Sequence, residues 1–355
     1  MHPSSGFVRI RNPATDSGMT GSAQTMNAPT PQQETPMRRD TFLRSVAALA
    51  AAGTLPLSAR AAATVKMMIP ANPGGGWDTT GRALGRALQD GKLADAVQYE
   101  NKGGAAGALG LAQFVNSAKG DPGAMMVMGA VMLGGIITGR PPVNLTQATP
   151  IARLTSEYNV FVLPPNSPFK TMKDVVDQLK KDPASVKWGG GSRGSTEHIA
   201  ACILARSVGV DPKKVNYIAF RGGGEATAAI LGGNVTVGGS GWSEFAEYIA
   251  AGKMRAVGVT SQKRLPGVAV PTMKEQGYDV VIGNWRGVYG APGISAAQRD
   301  ELTRMVAEAT RTKAWAEAMQ ANKWTPALMT GKDFDEFVDY EFSSLRAIIY
   351  LAGMA

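Results

Sequence analysis

Cysteine is nearly absent from this 355-residue chain. Cys202 stands alone, so no intrachain disulfide can form and the fold must rest on its hydrophobic core. Histidine is as scarce, with only His2 and His198, and no Cys/His cluster or H-E-x-x-H spacing exists. No metal site is therefore expected. Runs of Lys or Arg and basic-aromatic interleaving are also lacking, which speaks against nucleic acid as a partner. None of the glycine-rich segments ends in Lys-Ser or Lys-Thr, which removes the P-loop nucleotidases. No apolar run reaches the ~20 residues of a membrane span.

What is present begins with a polar stretch, residues 1–36, rich in Ser, Thr, Pro and Gln, which reads as a disordered extension or a mis-assigned start. Residues 37–63 read as a signal peptide. Arg38 and Arg39 form the charged region, an Ala-rich run over 46–57 follows, and Ser58-Ala59-Arg60-Ala61 ends it in an A-x-A site. The expected location is the periplasm. The Arg pair with Phe42-Leu43 resembles a twin-arginine signal with one residue too many, so Sec and Tat both remain open. Removing six basic and three acidic residues with this segment lowers the net charge from +9 to +6. That is a mild field, which helps an anion approach.

From Thr64 onward, short apolar strands alternate with helical segments, and the scheme restarts near Asn159. The pattern predicts an α/β fold of two lobes, each a mostly parallel sheet flanked by helices. Lobe one would hold 64–165 and 287–355, lobe two 166–286, with crossings at about 159–166 and 283–290.

The chain carries 43 glycines, and four clusters fall just after a predicted strand and before a predicted helix. They are Pro73-Gly74-Gly75-Gly76-Trp77-Asp78, Gly189-Gly190-Gly191-Ser192-Arg193-Gly194, Arg221-Gly222-Gly223-Gly224 and Gly238-Gly239-Ser240-Gly241-Trp242. Glycine lets a backbone approach a ligand, and a helix N-terminus behind it offers unsatisfied N–H groups to an anion. In open α/β sheets such loops border the ligand crevice.

Two enzyme motifs overlap here. Gly189 to Gly194 matches the G-x-G-x-x-G dinucleotide fingerprint, with Arg221 where an acidic residue belongs. An Arg there could serve NADP, so a nucleotide-cofactor α/β enzyme stays as a minor alternative, although an exported protein rarely meets NADP. Gly190-Gly191-Ser192-Arg193-Gly194 matches a G-x-S-x-G nucleophile elbow. Its only downstream histidine is His198, six residues on in the same helix, the wrong arrangement for a triad. No catalytic residue and no cofactor is expected.

At these loops the chain resembles the solute receptors of the tripartite tricarboxylate transporters, also called Bordetella uptake receptors. Pro70 to Asp78, Glu100 to Gly107, Gly194 to His198, Phe220 to Ala226, Leu231 to Val235 and Asn284-Trp285-Arg286-Gly287 carry the resemblance. The Gly-Gly-Gly-Trp-Asp and Asn-Trp-Arg-Gly segments look most like the tricarboxylate branch. Asn101-Lys102-Gly103-Gly104 departs from the Asn-Lys/Arg-Pro-Gly of many relatives. The resemblance implies a type II periplasmic-binding ("venus flytrap") fold, main-chain capture of a carboxylate, and integral membrane transporter subunits as partners. A monomer is expected, with a di- or tricarboxylate of the citrate kind as cargo. A receptor serving a sensor kinase is the other non-enzyme reading.

The expected ligand-binding set is Gly74, Gly75, Gly76, Trp77, Asp78 and Thr79 from lobe one. Lobe two supplies Ser192, Arg193, Gly194, Ser195, Thr196, Arg221, Gly222, Gly223, Gly224, Ser240 and Trp242. Trp285 and Arg286 complete it. Thr79 and Thr196 would donate hydroxyls, and the three arginines would neutralise further carboxylates. The tryptophans would wall the cleft, and Asp78 would cap its helix.

Overall fold

The structure, a computed structural model, describes residues 64–354. The readings of residues 1–36 and 37–63 lie outside the described residues. Among the described residues no helix is long and apolar enough to cross a membrane.

The first βα units follow the apolar pattern. Strand β1 (Thr64–Ile69) leads through the first glycine loop into α1 (Gly76–Asp90), then β2 (Ala96–Asn101), α2 (Ala108–Ser117) and β3 (Ala124–Gly129). Every residue of β3 is buried, as expected of a strand covered on both faces. Helix α3 (Ala130–Gly139) follows directly. Strand β4 (Thr149–Leu163) then runs 15 residues and belongs to both lobes.

In lobe two, α4 (Met172–Lys181) starts directly after Thr171. Thr171 and Asp174 form a reciprocal capping box, a feature typically contributing ~1 kcal/mol. Strand β5 (Lys187–Gly190), α5 (Thr196–Ser207), β6 (Asn216–Ala219), α6 (Gly223–Leu231), β7 (Val237–Gly241), α7 (Trp242–Ala250) and β8 (Arg255–Val259) complete it. The chain returns through β9 (Gly283–Gly290). Lobe one ends with α8 (Ala296–Ala309), α9 (Lys313–Ala321), β10 (Thr325–Thr330) and α10 (Gly331–Leu351).

Strand order is β2-β1-β3-β9-β4 in lobe one, with β10 on the other side of β4, and β4-β7-β5-β6 in lobe two, with β8 also on β4. The βα units give the parallel pairs β1–β2, β1–β3, β5–β6 and β5–β7. Every antiparallel pair involves β4, which pairs in both lobes, or β9, which returns the chain to lobe one, so the sheet is mixed. Thr149 to Tyr158 pair with β9, whereas Asn159 to Val162 pair with β7. The change of lobe thus falls between Tyr158 and Asn159.

Several elements differ from the sequence reading, among them strand β10, which has no counterpart in it; three bear on the site. Strand β4 starts ten residues before Asn159, absorbing Pro150 at an irregularity in the ladder, where its missing N–H is tolerated. Helix α3 was not expected, because its composition has no polar face. The fourth glycine cluster is not a loop: Gly238, Gly239, Ser240 and Gly241 are strand β7, buried throughout. Neighbouring side chains explain its glycines. A Cβ on Gly239 would lie 2.9 Å from the Cβ of Glu197, and one on Gly238 would overlap Ile230.

Candidate functional site

The site forms where the first and third glycine loops meet. In lobe one, Gly74 turns the chain at φ +86° and Gly75 precedes α1 with no side-chain cap. In lobe two, Gly222 precedes α6, also uncapped. These helix starts face each other closely: a Cβ on Gly75 would lie 2.8 Å from the Gly223 nitrogen. Asn72 Nδ2 donates to Glu225 Oε1 at 2.5 Å across the same junction. Two uncapped helix N-termini from different lobes therefore border one cleft, an arrangement that favours negative charge.

Acidic side chains also occupy the cleft, and the sequence reading missed them. Arg286 on β9 is ion-paired to Glu157 of β4 and lies 3.4 Å from Glu244 Oε1 of α7. The second oxygen of Glu157 accepts from Ser243 N at 3.2 Å and Ser243 Oγ at 2.7 Å. Trp324 Nε1 donates to Ser243 Oγ at 3.2 Å, and its ring lies under the Arg286 guanidinium at 5.7 Å. Glu197, from the first turn of α5, accepts from Gly191 N at 2.6 Å. The Glu244 carboxylate rests against the glycines of both helix starts, with Oε1 2.8 Å from a Cβ position on Gly76.

Burial pushes the Glu244 carboxyl up to about 7; Arg286 pulls it down, while Glu157 and Glu197 add to the rise. Burial likewise raises Glu197. Among the buried polar atoms that lack a partner are Arg286 Nη1 and Asn284 Oδ1, and both residues line the cleft. One is a donor and the other an acceptor, each costly to leave unmet.

Of the expected residues, Gly75, Gly76, Trp77, Ser192, Arg221, Gly222, Gly223, Ser240 and Arg286 line this cleft. Gly74 and Gly224 sit beside each other at its edge. Others are committed elsewhere. Asp78 is buried, accepting from Gly74 N at 3.1 Å, Asn101 at 3.0 Å and Arg82 at 3.0 Å. Burial pushes its carboxyl up, but these donors outweigh it and hold it below the usual range. The Thr79 hydroxyl donates to Gly75 O, and that of Thr196 to Asn159 Oδ1. Ser195 caps α5. Gly194 packs against α3.

The tryptophan and arginine expectations need correction. Trp285 points into lobe one, donating to Glu341 and packing edge-on to Phe334 and Phe337. Trp242 belongs to the apolar core of lobe two with Phe245 and Val160. Side chains alternate along a strand, so Arg286 facing the cleft turns Trp285 away. Arg193 and Arg221 are exposed, and Arg286 is already paired. His198 is no partner for Ser192: its Nδ1 accepts from Gly194 N at 3.0 Å and its ring stacks on Tyr217 at 4.0 Å. Among the described residues no group of His, Cys, Asp and Glu could hold a metal ion.

The cleft encloses about 70 Å3, well below the roughly 300–1,000 Å3 of a pocket for a drug-sized ligand. The lobes touch at Gly75–Gly223 and Asn72–Glu225, so a cargo larger than this gap needs them to part. An outer groove of about 310 Å3 shares Ser192 and Arg221 with it and adds Arg193, Ala106 and Thr138. Two exposed arginines thus stand at the mouth, where they attract an anion without being desolvated.

Comparison with known proteins agrees with this architecture. Residues 82–354 match the family model described as "Tripartite tricarboxylate transporter family receptor". The chain is similar to Protein BugT of Bordetella pertussis, at 27% identity over 313 residues, covering 87% of this chain and 93% of that one. Its fold is that of the periplasmic binding protein BugD, with a TM-score of 0.74 at 23% identity, covering 82% and 98% of the two chains. MatC of Rhodopseudomonas palustris, solved with bound malate, gives 0.71 at 20% identity over 81% and 98%. Such neighbours are two-lobe binding proteins in fold.

Proposed function

Because the chain belongs to the tripartite tricarboxylate transporter receptor family, we propose that it is a periplasmic solute receptor which closes on a small organic carboxylate and delivers it, chemically unchanged, to integral membrane transporter subunits. The observation that carries this reading is the pair of uncapped helix starts, Gly75–Gly76 and Gly222–Gly223, that meet across one cleft. Main-chain N–H groups at such termini hold a carboxylate without needing a specific side chain. The expected site residues that line the cleft would hold it there, and Arg193 and Arg221 would draw it to the mouth.

Within this reading the family favours a di- or tricarboxylate, and the malate held by MatC is such an acid. The arginines that a third carboxylate requires are exposed or already paired, so support for a citrate-like cargo is weaker than for a carboxylate as such. Calorimetry with mono-, di- and tricarboxylates tests the proposal. Saturable one-to-one binding of at least one acid, recovered intact, is expected. Binding of none, or conversion of any to product, refutes it.

A further inference from the structure

The charges inside the cleft do not suit a polyanion. Glu157 and Glu244 flank a single guanidinium, that of Arg286, and Glu197 lines the same cleft, while Arg193 and Arg221 stay outside at the exposed mouth. These carboxylates come from three elements: β4, α5 and α7. Glu244 stands beside the place where the two helix starts converge, against Gly76 and Gly223. A second or third ligand carboxylate would be pressed against it, and like charges in a desolvated site repel strongly.

The unmet hydrogen bonds point the same way. Arg286 Nη1 needs an acceptor and Asn284 Oδ1 needs a donor, and both residues are more than nine-tenths buried. A polycarboxylate without a hydroxyl answers only the first, and one with a hydroxyl, such as citrate, still brings its extra negative charges against Glu244. An acid with a hydrogen-bond donor beside its carboxylate answers both, and a positively charged donor also offsets the surplus of glutamates.

We propose that Glu244 selects cargo by charge, so that the receptor takes an amino acid whose carboxylate meets Arg286 and whose ammonium meets Glu244 and Asn284, and turns away citrate-type polyanions. The inference rests on the receptor reading above. It makes Glu244 a specificity-determining residue, backed by Glu157 and Glu197, with Arg286 from β9 and Ser240 from β7 as its other neighbours.

The test is calorimetry at pH 7 on the mature receptor, using acids that share a skeleton. Glutarate, 2-hydroxyglutarate and glutamate differ only in hydrogen, hydroxyl or ammonium at one carbon. Propionate, lactate and alanine form a smaller set, and tricarballylate serves as the polyanion. Within whichever skeleton binds, the amino acid is expected to bind about tenfold or more tighter than its unsubstituted acid. Repeating the titration in buffers of different ionisation enthalpy counts protons. An ammonium beside Glu244 keeps its carboxyl ionised, so protons are released, whereas an added carboxylate makes it take them up.

Glu244→Gln should shrink the amino-acid preference to near unity, and Glu197→Gln should narrow it less. The proposal is overturned if tricarballylate or the unsubstituted acid binds best, if protons are taken up, or if Glu244→Gln leaves the preference intact. A hydroxy acid binding best would keep the donor but refute the ammonium. Binding of no acid in any set sinks the receptor reading and this inference together.

Discussion

Gly134 offers a test of closure that touches neither cargo nor charge. It lies on α3 of lobe one, outside the cleft lining, and packs against the backbone of Gly194 in lobe two. A Cβ on Gly134 would overlap the Gly194 carbonyl oxygen and lie 3.2 Å from its carbonyl carbon. The reciprocal contact is also too tight, since a Cβ on Gly194 would lie 2.7 Å from Gly134 O. Backbone on both sides cannot repack as a side chain would, so Gly134→Ala must hold the lobes roughly 1 Å further apart at this point. Overpacking of this kind costs about 1–3 kcal/mol. Here the cost falls on the closed form alone, because opening relieves it. Apparent affinity should fall about 5- to 150-fold, with stability of the free protein almost unchanged. The assay is calorimetry with the tightest-binding acid, alongside small-angle scattering with and without it. Gly139→Ala, on the same helix with nothing within 4 Å, is the neutral control. Wild-type affinity and compaction in Gly134→Ala would refute the closure argument. A large loss of melting temperature would also refute it, by showing that the contact supports folding.

Other outcomes follow from the buried groups. Burial, helped by Arg193, holds His198 down to about 3, below its ordinary 6.5. Its stability contribution is therefore complete above pH 6.5 and lost as pH falls from there toward 3. Glu244, raised to about 7, acts oppositely over pH 4.5–7. Urea titrations at pH 7 and 5 should show wild type losing ground to His198→Gln on acidification, and parallel curves would rule this out. Arg286→Met strands Glu157 in the interior and should cost about 3–5 kcal/mol in denaturant melts. The double variant with Glu157→Leu should recover much of that, and no recovery would show that the pair does not act as a unit. Cys202 is buried and its thiol is pushed up to about 12 by burial. It should resist thiol reagents in the native protein and react once unfolded.

The βα units and the first three glycine clusters were legible because apolar strand runs, Thr171 and Ser195 caps and strand-to-helix glycines are local signals. What escaped depends on contacts far apart in sequence. The glycines of β7 look like a loop until Ile230, Glu197 and Glu157 are placed against them. Helix α3 carries no polar face because Gly134 and Gly135 press against Gly194 and Ala106. Glu157, Glu197 and Glu244 lie on three separate elements and read as surface charges one at a time. Only the folded cleft puts Glu157 and Glu244 on Arg286, with Glu197 in the same lining. Trp285 and Arg286 were both expected in the site, and strand alternation sends them to opposite faces.

The network around Arg286 also decides how a bound molecule can be felt. Glu157 lies within two residues of the point where β4 changes lobe, and Asn284 and Arg286 sit at the start of the returning strand. If the cleft closes as proposed, the groups that would meet the cargo are also the axle on which the lobes would turn. No signal needs to travel from a sensor to a distant moving part. For the same reason recognition and motion cannot be tuned separately by single substitutions here: a change that alters what the cleft accepts will also alter how readily it shuts.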